Sequence, residues 1–152
     1  MPSSKPRPDV SRAVGRLSTE YVLRALQLIA EIEGGDLVRA IIGQAIIAAN
    51  TAHLERDRSG PAYAGRLDVP PDSARRPISV LALSQSLGLP FETTRRHVNK
   101  LIASGRCRRV TGGVIVPAEV LASMTATEAG EKNLEYVYHF LRGLRRVGVQ
   151  ME

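Results

Sequence analysis

Apolar residues fall into blocks whose spacing differs, and each spacing predicts an element. Over residues 20–33, Tyr21, Val22, Leu23, Ala25, Leu26, Leu28, Ile29 and Ile32 cover more than one face of a helix, with Ser18 or Thr19 as its N-cap. Such a helix should be mostly buried. Gly34-Gly35 ends it, Asp36 caps a second helix over residues 37–54, and Val38, Ile41, Ile42, Ala45, Ile46, Ala48 and Ala49 form another broad apolar surface. An uncharged run there, residues 40–53, is about 14 residues long and contains Gln44 and Asn50, short of the ~20 that a membrane span needs. Two helices with more apolar surface than one small domain covers point to a subunit interface, and so to a homodimer with no membrane partner.

From residue 55 to residue 76 the pattern breaks into Arg, Asp, Ser, Gly and Pro, including Ser59-Gly60-Pro61 and Val69-Pro70-Pro71-Asp72, which predicts a linker or long surface loop. Tyr63 in this loop is expected to pack locally, with an anchoring or ligand-contacting role as the alternative. Residues 77–117 then form the most structured stretch. Ile78-Ser79-Val80 predicts a short strand, residues 81–87 a helix, and Leu87-Gly88-Leu89-Pro90 a tight turn with Pro90 suited to the first turn of a second helix. On that second helix Thr94, Val98, Leu101 and Ile102 recur at i, i+4, i+7 and i+8, which is one face, and Gly105 ends it. Two short extended runs, residues 106–110 and 113–116, flank the Gly-rich hairpin turn Thr111-Gly112-Gly113.

After the hairpin, Pro117 interrupts pairing and residues 118–124 predict a short helix. Thr125-Ala126-Thr127-Glu128 has the form of a capping box. The last helix, residues 127–147, puts Leu134, Val137, Tyr138, Leu141 and Leu144 along one stripe and ends in Arg142, Arg145 and Arg146. The stripe is expected to pack against the N-terminal helices, within the chain or across a two-fold axis. The fold class is therefore mainly α with a small β-hairpin wing: a winged helix-turn-helix flanked by N- and C-terminal helices. Its parts are a disordered basic arm (1–16), a helical pair for dimerisation or for the module's first helix (17–54), a linker (55–76), the DNA-binding module (77–117) and C-terminal helices (118–152).

Helix, turn, helix and hairpin in that order place the second helix in the DNA major groove. The module resembles that of the bacterial winged helix-turn-helix transcription regulators, in the broad style of the MarR, GntR and IclR groups. The residues that carry the resemblance are 81–90 for the positioning helix and turn, 92–101 for the recognition helix, and Gly105-Arg106 with Thr111-Gly112-Gly113 for helix end and wing, about 40 of 152 residues. His97 departs from the family pattern, in which a small or aliphatic residue often stands there, and is expected to pack at the helix edge. The resemblance implies sequence-specific binding to double-stranded DNA as a homodimer, with a small-molecule effector left open.

Charge supports the same region independently. Residues 75–109 hold Arg75, Arg76, Arg95, Arg96, Lys100, Arg106, Arg108 and Arg109 against the single acid Glu92, so +7, while the whole chain carries +6. Excess cation concentrated on the module is the footprint of a phosphate-binding face. The candidate DNA contacts are Ser84, Glu92, Thr93, Arg95, Arg96, Asn99, Lys100, Arg106, Arg108 and Arg109. Thr93 and Arg96 are the expected pair for base readout, since Arg matches guanine O6 and N7. Asn99, Lys100 and Ser84 are expected on phosphates. Strand alternation sends Arg106 and Arg108 to one face and Arg109 to the other. A second reading of the same fold is a protein-interaction or replication-associated module without sequence-specific DNA binding.

Other classes find little support. Low aromatic content, with no Trp and two Phe, disfavours a base-stacking platform for single strands. Phosphate-cradling and nucleophile-elbow motifs are missing and the acids are scattered, so no catalytic residue and no enzyme activity is expected. His53, His97 and His139 lack ligand spacing, and the lone Cys107 makes neither a disulfide nor a metal site, so no metal or cofactor is expected and a reducing cytoplasm fits. Cys107 lies between Arg106 and Arg108, and reads either as a small residue facing the core or as a thiol activated by its cationic neighbours. No apolar run follows Met1, so no secretory signal is expected. Lys5, Arg7, Arg12 and Arg16 make a basic arm that is a floppy terminus or lies along a DNA backbone.

Overall fold

The computed structural model describes residues 9–56, 63–65, 68–125 and 127–150. Within them, six helices and one antiparallel hairpin run in the order α1 (Ser11–Ile32), α2 (Leu37–Arg56), α3 (Val80–Leu87), α4 (Phe91–Ala103), β1 (Arg108–Val110), β2 (Gly113–Ile115), α5 (Ala118–Thr125) and α6 (Glu128–Arg146), with a single 3₁₀ turn, Asp72–Ala74, before α3. The protein is thus mainly helical with a two-stranded sheet.

α1 begins earlier than its sequence suggested. Ser18 and Thr19 lie inside it, and the first turn starts at Ser11, whose N–H and hydroxyl both donate to Asp9 Oδ1 (3.0 and 2.6 Å). Residues 9–16, expected to be disordered, are therefore helical from Ser11 on; Lys5 and Arg7 fall outside the described residues. Tertiary contact accounts for the extension, because Leu17 packs where Gly143 of α6 lacks a side chain. A Cβ on Gly143 would lie 2.7 Å from Leu17 Cδ2. Tyr21 stacks on Phe140 with ring centroids 5.4 Å apart, and the Arg24 guanidinium sits 5.8 Å from the Tyr136 ring centre. α1 and α6 therefore pack antiparallel.

Gly34 and Gly35 take left-handed backbone (φ 63° and 92°) and end α1 as expected. Asp36 then caps α2, its Oδ1 accepting the Arg39 N–H at 2.9 Å. That bond, aided by the charges of His97, Arg39 and Lys100, holds the Asp36 carboxyl below the usual carboxylate range against the opposing effect of burial. α2 is the central helix. Residues Leu37–Leu54 have the length and mean hydropathy of a membrane-crossing helix, but in this fold Ile42 and Ile46 are fully buried with Leu83, Val98, Leu101, Cys107, Val114 and Val116 in one core.

Asn50, also fully buried, joins α2 to the hairpin: its Nδ2 donates to Arg76 O (2.7 Å) and Val114 O (3.2 Å), and its Oδ1 accepts from Val116 N–H (3.0 Å). His53 Nε2 lies 2.8 Å from the Ala74 carbonyl oxygen. In the loop before α3, Arg75 is buried with its Nη2 on Pro70 O (3.0 Å), and desolvation lowers its pKa against the pull of Asp72 and Glu119. Tyr63, expected to pack locally, is exposed.

The strand expected over residues 78–80 shortens to one bridge, Ile78 with Val114, closed by N–H to O distances of 3.2 and 2.9 Å. Ser79 serves instead as the N-cap of α3, its Oγ accepting Ala82 N–H at 3.1 Å. Gly88 (φ 64°) makes the turn into α4, and Pro90 occupies the N-cap position rather than the first turn. In the hairpin Arg108 pairs with Ile115, Arg109 with Val114 and Val110 with Gly113, leaving Thr111-Gly112 as the turn. The cap of α6 is Thr127, two residues after the Thr125 that opens the expected capping box, and its hydroxyl donates back to Met124 O (2.5 Å) with no bond onto an α6 N–H.

Candidate nucleic-acid interface

The two faces of α4 differ as its periodicity requires. Thr94, Val98 and Leu101 are buried and Ile102 half-buried, which fixes the helix on the core by one stripe and turns the rest outward. Arg96 and Lys100, one turn apart, are exposed on the far side, and no acid pairs with either among the described residues. Glu92, Arg95 and Asn99 line the flank towards the hairpin. Thr93 and His97 share the opposite flank and are half-buried. There His97 Nδ1 is 3.7 Å from Asp36 Oδ2, at the turn between α1 and α2. The edge packing expected for His97 is what the structure has.

On the hairpin flank Arg95 and Glu92 form a two-pronged pair, Nε to Oε2 at 2.8 Å and Nη2 to Oε1 at 2.6 Å. The hydrogen bonds lower the Glu92 pKa and raise that of Arg95. Both side chains are exposed, so the pair holds a geometry more than it stabilises the fold. Arg109 reaches across from β1, its Nη2 donating to Asn99 Oδ1 at 3.3 Å. Between α3, α4 and the hairpin lies an open groove of about 430 Å³, whose lining includes Leu81, Phe91, Arg95, Asn99 and Arg109.

Three expected contacts are not on this face. Ser84 is 4% exposed and its hydroxyl donates to Leu81 O (2.8 Å), because α3 buries Leu83 and Ser84 together. Arg106 points to α1, its Nη2 on Ile32 O (2.9 Å) and its Nε 3.5 Å from Glu33 Oε1, where a cation meets the C-terminal end of a helix. Arg108 spans Asp72 (3.1 Å) and Glu119 (2.7 Å). Asp72 Oδ1 also accepts Ala118 N–H at 2.7 Å, so Arg108 belongs to a brace between the loop, β1 and α5. Strand alternation separated Arg108 from Arg109 correctly; the acids that meet Arg108 are contributed by segments 36 residues before and 11 residues after it.

Cys107 is buried at 4% exposure, and desolvation, together with the charge of Glu33, pushes its thiol up to about 12 against the weaker pull of Arg106. The activated-thiol reading fails on that environment, and the core reading stands. Sequence reasoning missed Leu81 and Phe91, which are 55% and 48% exposed on the groove. The only signal was that neither falls on its helix's buried stripe.

Comparison with known proteins adds no assignment: no protein-family model, no curated protein and no solved structure matches the chain.

Proposed function

We propose that the protein is a winged helix-turn-helix transcription regulator that binds a specific sequence of double-stranded DNA as a homodimer, with α4 as recognition helix and the β1–β2 hairpin as wing. The observation that carries this reading is the outward pair Arg96 and Lys100, exposed and in no ion pair among the described residues, on a helix whose opposite stripe of Thr94, Val98 and Leu101 is buried. A rigid helix presenting free cations suits entry into the major groove, where Arg96 can read guanine O6 and N7 and Lys100 a phosphate. Arg109 supplies a further cation from the wing. Asn99, bridged to Arg109, joins helix to wing, and the exposed Leu81 and Phe91 offer apolar contact to thymine methyl groups or sugars. Thr93, half-buried on the other flank, is the weaker half of the expected readout pair. An open cleft of about 650 Å³ between α1, the turn after α4, α5 and α6 offers space for a small-molecule effector.

Leu81 and Phe91 also favour a second reading, in which the groove takes an apolar segment of a protein partner and the cations only assist. Selection of bound duplexes from a random pool separates the two. The first reading expects a palindromic sequence from the wild-type protein, with one base preference per half-site lost in Arg96→Ala at a cost of about 1–3 kcal/mol. If no sequence is enriched, the regulator reading is overturned and the protein-partner reading takes its place.

A further inference from the structure

α6 is the most clearly amphipathic helix of the chain, yet none of its residues is buried. It meets α1 through Tyr136, His139, Phe140 and Gly143. Of the stripe Leu134, Val137, Tyr138, Leu141 and Leu144, Leu134, Tyr138 and Leu141 lie about half a turn away from those contacts and Val137 and Leu144 about a quarter turn; Leu134 and Tyr138 are 51% and 53% exposed, and the other three are half-buried. Ten residues separate its ends, an apolar strip about 15 Å long whose outer edge, at Leu134 and Tyr138, is open.

We propose that this stripe is the seam of the homodimer, with the two α6 helices packed antiparallel about a two-fold axis beside Tyr138. Charge decides the direction. Glu131 and Glu135 stand in the first half of α6, Arg142 and Arg145 in the second. Glu135 and Arg142 are two turns apart and so share one flank of the stripe. Antiparallel pairing sets Glu135 of each copy against Arg142 of the other, so that the contact occurs twice as a two-fold interface demands. Parallel pairing would set like charge against like. The proposal rests on the dimeric reading above only for its choice of partner, and its test needs no DNA, so failure of the DNA reading leaves it standing.

The test is sedimentation equilibrium of the full chain as wild type, Glu135→Arg, Arg142→Glu and the double swap, each first checked by circular dichroism for native helix content. The wild type should be a dimer. Each single reversal should raise the dimer dissociation constant about tenfold or more, since like charges then face each other at two places, and the double swap should recover most of the loss. A wild-type monomer at about 100 μM, well above the range of specific interfaces, overturns the proposal. So does a double swap that dissociates as readily as the single variants, because only facing charges can rescue one another.

Discussion

Asn50 shows how much one side chain can decide. It sits at zero exposure among isoleucines and valines, and its amide meets both the loop before α3 and the far side of β2. Removing it leaves the Arg76 carbonyl and the Val116 N–H without their Asn50 partner, each at the cost of an unsatisfied group, while the Val114 carbonyl keeps the Ile78 N–H. Asn50→Leu is expected to lower unfolding stability by about 2–4 kcal/mol in urea titrations monitored by circular dichroism. An unchanged midpoint would show that the amide is dispensable. Cys107 makes a second prediction at this scale. Its thiol ionises near 9 when unfolded and near 12 when folded, so the folded state holds a proton that the unfolded chain gives up. Its contribution to stability is complete below pH 9 and is lost as pH rises from 9 towards 12. A thiol reagent at pH 8 should leave the native protein unmodified and label it fully in denaturant; rapid native labelling would contradict the burial.

At the scale of elements, the hairpin is positioned by backbone contact as well as by side chains. Gly113 has φ 147°, and a Cβ there would overlap the carbonyl of Ile78 and lie 2.8 Å from Ser79 N. Gly113→Ala should therefore part the bridge that fixes the hairpin beside α3, at about 2 kcal/mol or more in thermal or urea unfolding. A neutral effect would mean that the hairpin can swing freely. The cations of this region divide into two kinds. Arg108 braces β1 against Asp72 and Glu119, whereas Arg96 faces outward alone. On the proposed function, Arg96→Ala removes a base preference and leaves the melting temperature nearly unchanged. Arg108→Ala weakens DNA binding uniformly, through a loosened wing, with no change in sequence preference.

For the whole molecule, four of the eight cations behind the local excess of +7 are engaged internally. Arg75 is buried, Arg106 holds the end of α1, Arg108 is braced and Arg95 is paired with Glu92. Arg76 is exposed before α3, and on the proposed face Arg96, Lys100 and Arg109 are left. At about 0.9 released counterions per neutralised phosphate, log Kobs should fall with log salt concentration with a slope of about −3 per protomer, or about −6 for a dimer on its site. A slope near −7 per protomer would mean that all eight cations engage DNA and that the internal pairs open on binding.

Taken alone, the sequence decided local matters. The periods of α2, α3, α4 and α6, the glycines at 34, 35, 88 and 105, the Asp36 cap and the hairpin turn come from repeat spacing and backbone freedom within a few residues, and the structure has them. Thr94, Val98 and Leu101 on the inner face of α4, and Arg96 and Lys100 on the outer, were legible for the same reason. The tertiary structure decided whatever depends on a partner distant in the chain. It drew α1 back to Ser11 through Leu17 and Gly143, reduced residues 78–80 to one bridge and a cap, and turned Ser84 inward. It also gave Arg106 and Arg108 to acids and carbonyls on other elements. Helical and strand periods say which side of an element a residue takes; only packing says what stands opposite it, and a charge or hydroxyl is free or engaged according to that neighbour.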